Sequence, residues 1–233
     1  APVGDDESGD RPSGLLAMGG MVAVMLGLAI APAVLTRNVG RTATIEESKA
    51  DRIVPPNPHT YGAATAPITV VEFSDICCPT CQKWTPKLHA FVDTNPGRIR
   101  LIYRHLPIVQ LHETAPLLAA ISEIAAESGK FWPFLLETMA LGKAEKTTLT
   151  DYLAIAGNVG LKPDVIQKRL AVETDPIFAR MTKDVNDAVS LGVNSTPTFF
   201  VLVKGQPIKV TDANGLLPLL EGEPYASLLK NAP

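Results

Sequence analysis

The chain alternates apolar runs with polar joints, and its longest apolar run comes first. From Pro12 to Thr36 no residue is charged, and Leu15 to Leu35 reads LLAMGGMVAVMLGLAIAPAVL. As a helix this run would be roughly 30 Å long, the thickness of a hydrocarbon core, so the pattern predicts a transmembrane helix over 15–35 behind a polar segment at 1–14. Ala29 and Ala31 imitate a signal cleavage site, but Pro32 is a poor residue beside a scissile bond, which favours an uncleaved anchor. Gly19, Ala23, Gly27 and Ala31 recur at every fourth position and so fall on one stripe, where a second helix could approach closely.

Residues 36–66 are polar and include Pro55-Pro56-Asn57-Pro58, a run that forbids helix, so they read as a tether between membrane and domain. Apolar periodicity then returns. Ile68 to Phe73 (ITVVEF) is β-branched and continuous, as expected of a strand buried on both faces. Gln82 to Val92 has helical spacing, and Ile99 to Tyr103 is a second strand. Glu113 to Leu191 reads as several helices, with a capping box at Thr148 and Asp151 and a start at Asp175-Pro176. Thr198 to Val203 (TFFVLV) is a third strand, Lys209 to Thr211 a short fourth, and Leu216 to Lys230 a closing helix broken by Pro218, Gly222 and Pro224. The resulting domain, 67–233, has mixed α/β order with a helical insertion at about 112–191.

Composition narrows the function. Of 233 residues 46% are hydrophobic and 19% charged, which excludes a disordered chain, and 21 Lys+Arg against 24 Asp+Glu leave no cationic field for nucleic acid. All three cysteines fall within 77–81, too few and too close to staple a fold. They point instead to a reactive or metal site. The four histidines, His59, His89, His105 and His112, are scattered and read as surface or packing residues, so neither a metal nor a cofactor is expected.

Cys78-Pro79-Thr80-Cys81 lies where a strand gives way to a helix. Two intervening residues in a first helical turn bring the sulfurs within disulfide reach, and the helix N-terminus stabilises the thiolate of the first. Cys78 is then the attacking sulfur and Cys81 the resolving one. Half a zinc site has the same spacing, but no second pair exists. Before the third strand stands Ser195-Thr196-Pro197-Thr198, where a cis bond would let Thr196 present its backbone to an extended peptide.

With these motifs in order, the chain resembles the DsbA-like thiol-disulfide oxidoreductases of the thioredoxin-fold superfamily. The resemblance runs over about 60–205 and rests on VVEFSDICCPTC, YRHLP at 103–107, the Gly129-Lys130-Phe131-Trp132 region and GVNSTPTFFV at 192–201. It implies a thioredoxin fold with a helical insertion, Cys78 as nucleophile, Cys81 as resolving thiol, Pro197 as the cis-proline facing them and Glu72 as the acid beneath them. Thr196, Pro79 and Thr80 are the expected contacts to substrate, a cysteine-containing protein. Cys77 departs from the pattern and creates a Cys77-x-x-x-Cys81 spacing like that of thioredoxin-fold copper-delivery proteins. Three functions therefore stand: a membrane-anchored thiol-disulfide oxidoreductase, a redox-inactive accessory subunit of a membrane complex, and a copper chaperone. The anchor would also serve a membrane redox partner. Arg11 before the span against Arg37, Arg41, Lys49 and Arg52 after it argues for a cytoplasmic domain, whereas disulfide chemistry argues for the extracytoplasmic side of a single-pass protein in the cytoplasmic membrane, the placement expected here.

Overall fold

The structure, a computed structural model, describes residues 49–142 and 148–230. The apolar span at 15–35, its small-residue stripe, the segment at 1–14 and the first part of the tether lie outside the described residues. Among those described, no helix is long and apolar enough to cross a membrane.

The domain is built on a five-stranded sheet in the order β1-β3-β2-β4-β5. Its strands are β1 (His59–Gly62), β2 (Ile68–Ser74), β3 (Ile99–His105), β4 (Thr198–Val203) and β5 (Gln206–Val210). β2 and β3 run parallel, joined by helix α2 (Pro79–Thr94), and the other pairs are antiparallel. Every residue of β2 is buried, as the continuous apolar run requires of a strand covered on both faces. On one face Ile68, Val70, Leu101 and Val201 meet Trp84 and Leu88 of α2, with Leu216 and Leu220 from α8 (Ala213–Glu221) and Tyr225 from α9 (Tyr225–Lys230). On the other, Val71, Phe73, Ile102 and Phe200 meet Ile53 of α1 (Lys49–Ile53) and Ala188 of α7 (Pro176–Ser190).

The insertion between β3 and β4 holds α3 (Ala115–Ala126), α4 (Phe131–Ala140), α5 (Leu149–Asn158), α6 (Pro163–Leu170) and α7. Its centre is α3, whose sequence APLLAAISEIAA is apolar but for Ser122 and Glu123 and which packs against the other four. The Thr148–Asp151 capping box is present, and the Asp175 carboxylate accepts from the Ile177 amide at the start of α7. A buried ion pair then fixes α7 to the sheet. Arg104 of β3 donates to Asp184 at 2.5 Å and to Asp187 at 2.6 Å, and its remaining donors reach the carbonyls of Arg52 and Ile53 in α1.

Three regions differ from the sequence expectation. Residues 49–62, assigned above to the tether, contribute α1, with Ile53 fully buried, and the edge strand β1. HTYG is too short and too half-exposed to show alternation, and it ends on Gly62, where φ is +94° and a Cβ would sit 2.8 Å from the Ile99 carbonyl oxygen. The fourth strand begins three residues earlier than expected, because Lys204 and Gly205 both adopt positive φ and close a two-residue hairpin. The closing helix is two helices separated at Gly222–Pro224, and it starts earlier, where the Asp212 side chain caps the Asn214 amide.

Candidate active site

Chain geometry places Cys78 at the N-cap of α2, with extended backbone angles, and Pro79 at the first helical position, where its missing N–H costs nothing. Gln82 fastens this turn by donating its side-chain amide to the Ile76 carbonyl at 3.0 Å. Cys78 is only 9% exposed and Cys81, one turn on, is fully buried, while Pro79 and Thr80 between them are exposed. All three cysteines are free thiols. The Cys78 sulfur lies 3.6 Å from the carbonyl oxygen of Thr196, and the Thr196–Pro197 peptide bond is cis. Cys78, Cys81, Thr196 and Pro197, which the sequence separates by more than a hundred residues, therefore meet at one edge of the domain.

The two thiols of the pair are held very differently. A hydrogen bond from the Cys81 thiol draws the Cys78 pKa down to about 5 against the effect of burial, helped by the backbone N–H groups of Cys81 and Thr80 at the helix start and by the Thr196 hydroxyl. Cys81 moves the opposite way. Burial, the proton it gives to Cys78 and the nearby Glu72 carboxylate push it well above the ordinary thiol range.

Glu72 lies on β2 beneath Cys81, fully buried. Its Oε1 accepts from the Thr85 hydroxyl of α2 at 2.7 Å, and burial, only partly offset by that hydrogen bond, lifts its pKa to about 7. Directly across the parallel ladder stands Tyr103, also buried. Glu72 Oε2, the Ser74 hydroxyl and the Tyr103 hydroxyl are all sequestered without a direct hydrogen-bond partner among the described residues. These three polar groups gather around Cys81 in an otherwise apolar core.

Cys77 is set apart from this pair. Its sulfur contacts the Thr114 hydroxyl at 3.4 Å, and burial raises its pKa to about 11. The residue that fixes it was not picked out from the sequence: the buried carboxylate of Asp75 accepts from the Cys77 amide at 2.8 Å, from the Ile108 amide at 2.8 Å and from His112 Nδ1 at 3.0 Å. Asp75 thereby ties the cysteine loop to the 106–114 loop. His112 is thus a partner of the site rather than a packing residue. The other departure concerns His59 and His105, read as scattered, which converge on Glu123 where β1 and β3 meet α3. No sequence spacing links three residues 18 to 64 positions apart on a strand, a second strand and a helix.

A dithiol split into an acidic and a suppressed sulfur, over a buried acid and opposite a cis-proline, on a sheet with a helical insertion, is the arrangement of a DsbA-like domain of the thioredoxin fold. A thioredoxin family model matches residues 55–212, more than half of the chain, and the chain belongs to that family. Among solved structures it is similar to Pseudomonas aeruginosa DsbA2, at 27% identity and a TM-score of 0.59 over 72% of this chain and 94% of that one. It is also similar to a thioredoxin-like oxidoreductase from Silicibacter pomeroyi, at 26% identity and a TM-score of 0.57 over 78% of this chain and 98% of that one. Among curated relatives it is 29% identical over 194 residues to the Na(+)/H(+) antiporter NhaA 3 of Salinispora tropica, covering 78% of this chain. The chain spans only 29% of that relative's length.

Proposed function

We propose that the protein oxidises cysteine pairs in other proteins, with Cys78 and Cys81 cycling between disulfide and dithiol. The observation that carries this is the contrast between the two sulfurs. A Cys78 thiolate stable down to about pH 5 favours the reduced form and makes the disulfide a strong oxidant. A substrate thiolate attacks Cys78 Sγ, the Cys78–Cys81 bond breaks and Cys81 leaves with the electron pair. Glu72, half protonated near pH 7, is the group placed to give Cys81 its proton. A second substrate thiolate then attacks the substrate sulfur of the mixed disulfide. Cys78 departs as the stabilised thiolate, the substrate gains a disulfide, and the enzyme holds the two electrons. Thr196 and the exposed Pro79 and Thr80 flank the sulfur where an extended substrate would lie. The test is equilibration with a glutathione buffer: a potential above about −180 mV supports an oxidase, and one near −270 mV would assign a reductase.

The oxidising direction fits an extracytoplasmic location, with the domain anchored through 15–35 and the Gly19, Ala23, Gly27 and Ala31 stripe facing another helix. Similarity to part of an antiporter favours a second reading, a module that serves a membrane protein through its surface rather than its thiols. Replacing Gly19 and Gly27 by Leu, and separately Cys78 by Ser, distinguishes them: loss of a co-purifying membrane partner in the first with activity retained, or loss of function only in the second. Copper delivery is disfavoured by the buried Cys77, whose thiol stays protonated at neutral pH.

A further inference from the structure

The cluster at the sheet edge has the composition of a metal centre. We propose that His59, Glu123 and His105 bind one Zn²⁺ ion that staples edge strand β1 to the central helix α3. His59 Nε2 lies 2.7 Å and His105 Nε2 3.2 Å from the same oxygen, Glu123 Oε1, and one donor atom from each residue lies within 4.8 Å of the other two. An ion about 2.0–2.2 Å from each donor needs ligand separations of roughly this size, so a small expansion admits it. Two imidazoles and one carboxylate are a recognised zinc set that leaves a fourth position open.

The surroundings support this more than they would a random ion pair. The Phe131 ring stacks on His59 with centroids 3.7 Å apart and planes within 9°, which fixes the direction of Nε2 before any ion arrives. The Ser122 hydroxyl, 3.3 Å from His105 Nε2, is a further polar atom at the inner end. His59 and Glu123 also line a cavity of about 410 Å³, which gives an ion and its water a route from solvent and room for the open position. On binding, each neutral imidazole would turn its Nε2 lone pair to the ion and carry its single proton on Nδ1, so no net proton is released and no electron changes hands.

One group opposes a cation. Arg180 lies on the same cavity wall, its Nε 3.4 Å from Glu123 Oε2 and its terminal nitrogen on the Asn57 carbonyl. It holds the second carboxylate oxygen and leaves Oε1 to the histidines, the usual outer contact of a ligating carboxylate, but its charge must weaken the affinity. That conflict gives the experiment its signature.

The chain with Cys77, Cys78 and Cys81 replaced by Ser, which removes competing thiolates, is titrated with ZnCl₂ against a chromophoric chelator and separately with CoCl₂. The wild-type protein in its disulfide form serves as a second preparation in case the serines perturb folding. One ion per chain is expected, with visible Co²⁺ bands of four-coordinate intensity. His59→Gln and Glu123→Gln should each weaken Zn²⁺ binding by more than about 100-fold, beyond the loss typical of an outer-shell change. Arg180→Gln should tighten it several-fold, and Zn²⁺ should raise the melting temperature only where the three ligands are intact. Absence of stoichiometric Zn²⁺ in both preparations, or Zn²⁺ binding indifferent to His59→Gln and Glu123→Gln, overturns the proposal and leaves the cluster as a hydrogen-bonded clamp. The thiol assays above are independent of either result.

Discussion

The Cys78 sulfur and the Thr196 carbonyl oxygen stand 3.6 Å apart although 118 residues separate them. The whole helical insertion lies between, so the site forms only when β4 has paired with β2. Thr196 is the last residue before Pro197, which precedes β4, and its carbonyl is directed at the sulfur rather than into the ladder. A thiol at the end of a strand-to-helix turn thus gains a backbone acceptor that can also receive an amide from an extended substrate.

The low Cys78 pKa is expected to appear directly in alkylation kinetics. Rates followed from about pH 3 to 9 should show one thiol titrating near 5, assigned by peptide mapping to Cys78. Cys81→Ala removes the largest stabilising hydrogen bond, so the same titration should then move upward toward the ordinary thiol range. A fast thiol mapping to Cys77 would show the assignment to be wrong.

Cys77 should be dispensable. Its buried thiol, protonated up to about pH 11, can neither attack nor leave at neutral pH, so Cys77→Ala is expected to keep oxidase turnover within about twofold. The cost should be confined to stability, about 1 kcal/mol or less by denaturant titration, for the lost sulfur and its contact with Thr114.

Glu72 should impose a pH dependence of opposite sign to that of a salt-bridged acid. Its folded pKa is about 7 against an ordinary 4.5, so between these values the native state holds a proton that the unfolded state has lost. The favourable contribution is present below about pH 4.5 and disappears as pH rises through 7, on the order of 3 kcal/mol in all. In a Cys78→Ala background, where the thiolate does not titrate, urea midpoints should fall across that window. Adding Glu72→Gln should flatten the slope and raise stability at pH 8. An unchanged slope would mean the carboxyl is not the titrating group.

Much of this was legible because the relevant signals are local. A continuous β-branched run before a cysteine pair, a proline at the start of another such run, and the Thr148 and Asp175 helix starts each occupy a few adjacent residues and dictate their own geometry. What was not legible arises between distant segments. Asp75 is one polar residue in a loop until the 106–114 loop folds over it, and His59, His105 and Glu123 meet only because β1 pairs with β3 beside α3. β1 itself carries too little apolar area to show a period, and the side-chain contacts that hold it, His59 on Phe131 and Tyr61 on His89, come from distant segments.

Arg104 provides the sharpest test of how the two faces of the sheet divide their work. The residues of β3 alternate, so Tyr103 faces the dithiol while Arg104 faces α7, where it neutralises Asp184 and Asp187 in a buried position. Arg104→Met removes the guanidinium from both carboxylates, although Asp187 keeps Lys183 at 3.2 Å and Asp184 keeps the His105 amide at 2.9 Å. Leaving buried carboxylates so poorly compensated should cost about 3–5 kcal/mol in denaturant titration. Arg104→Lys should recover only part of it, because one ammonium cannot span both carboxylates and the carbonyls of Arg52 and Ile53. The Cys78 titration should nevertheless stay near pH 5 in both variants while they remain folded, since its causes all lie on the α2 side and in the Thr196 loop. A shift of a full pH unit would show instead that α7 and the dithiol are coupled through β3.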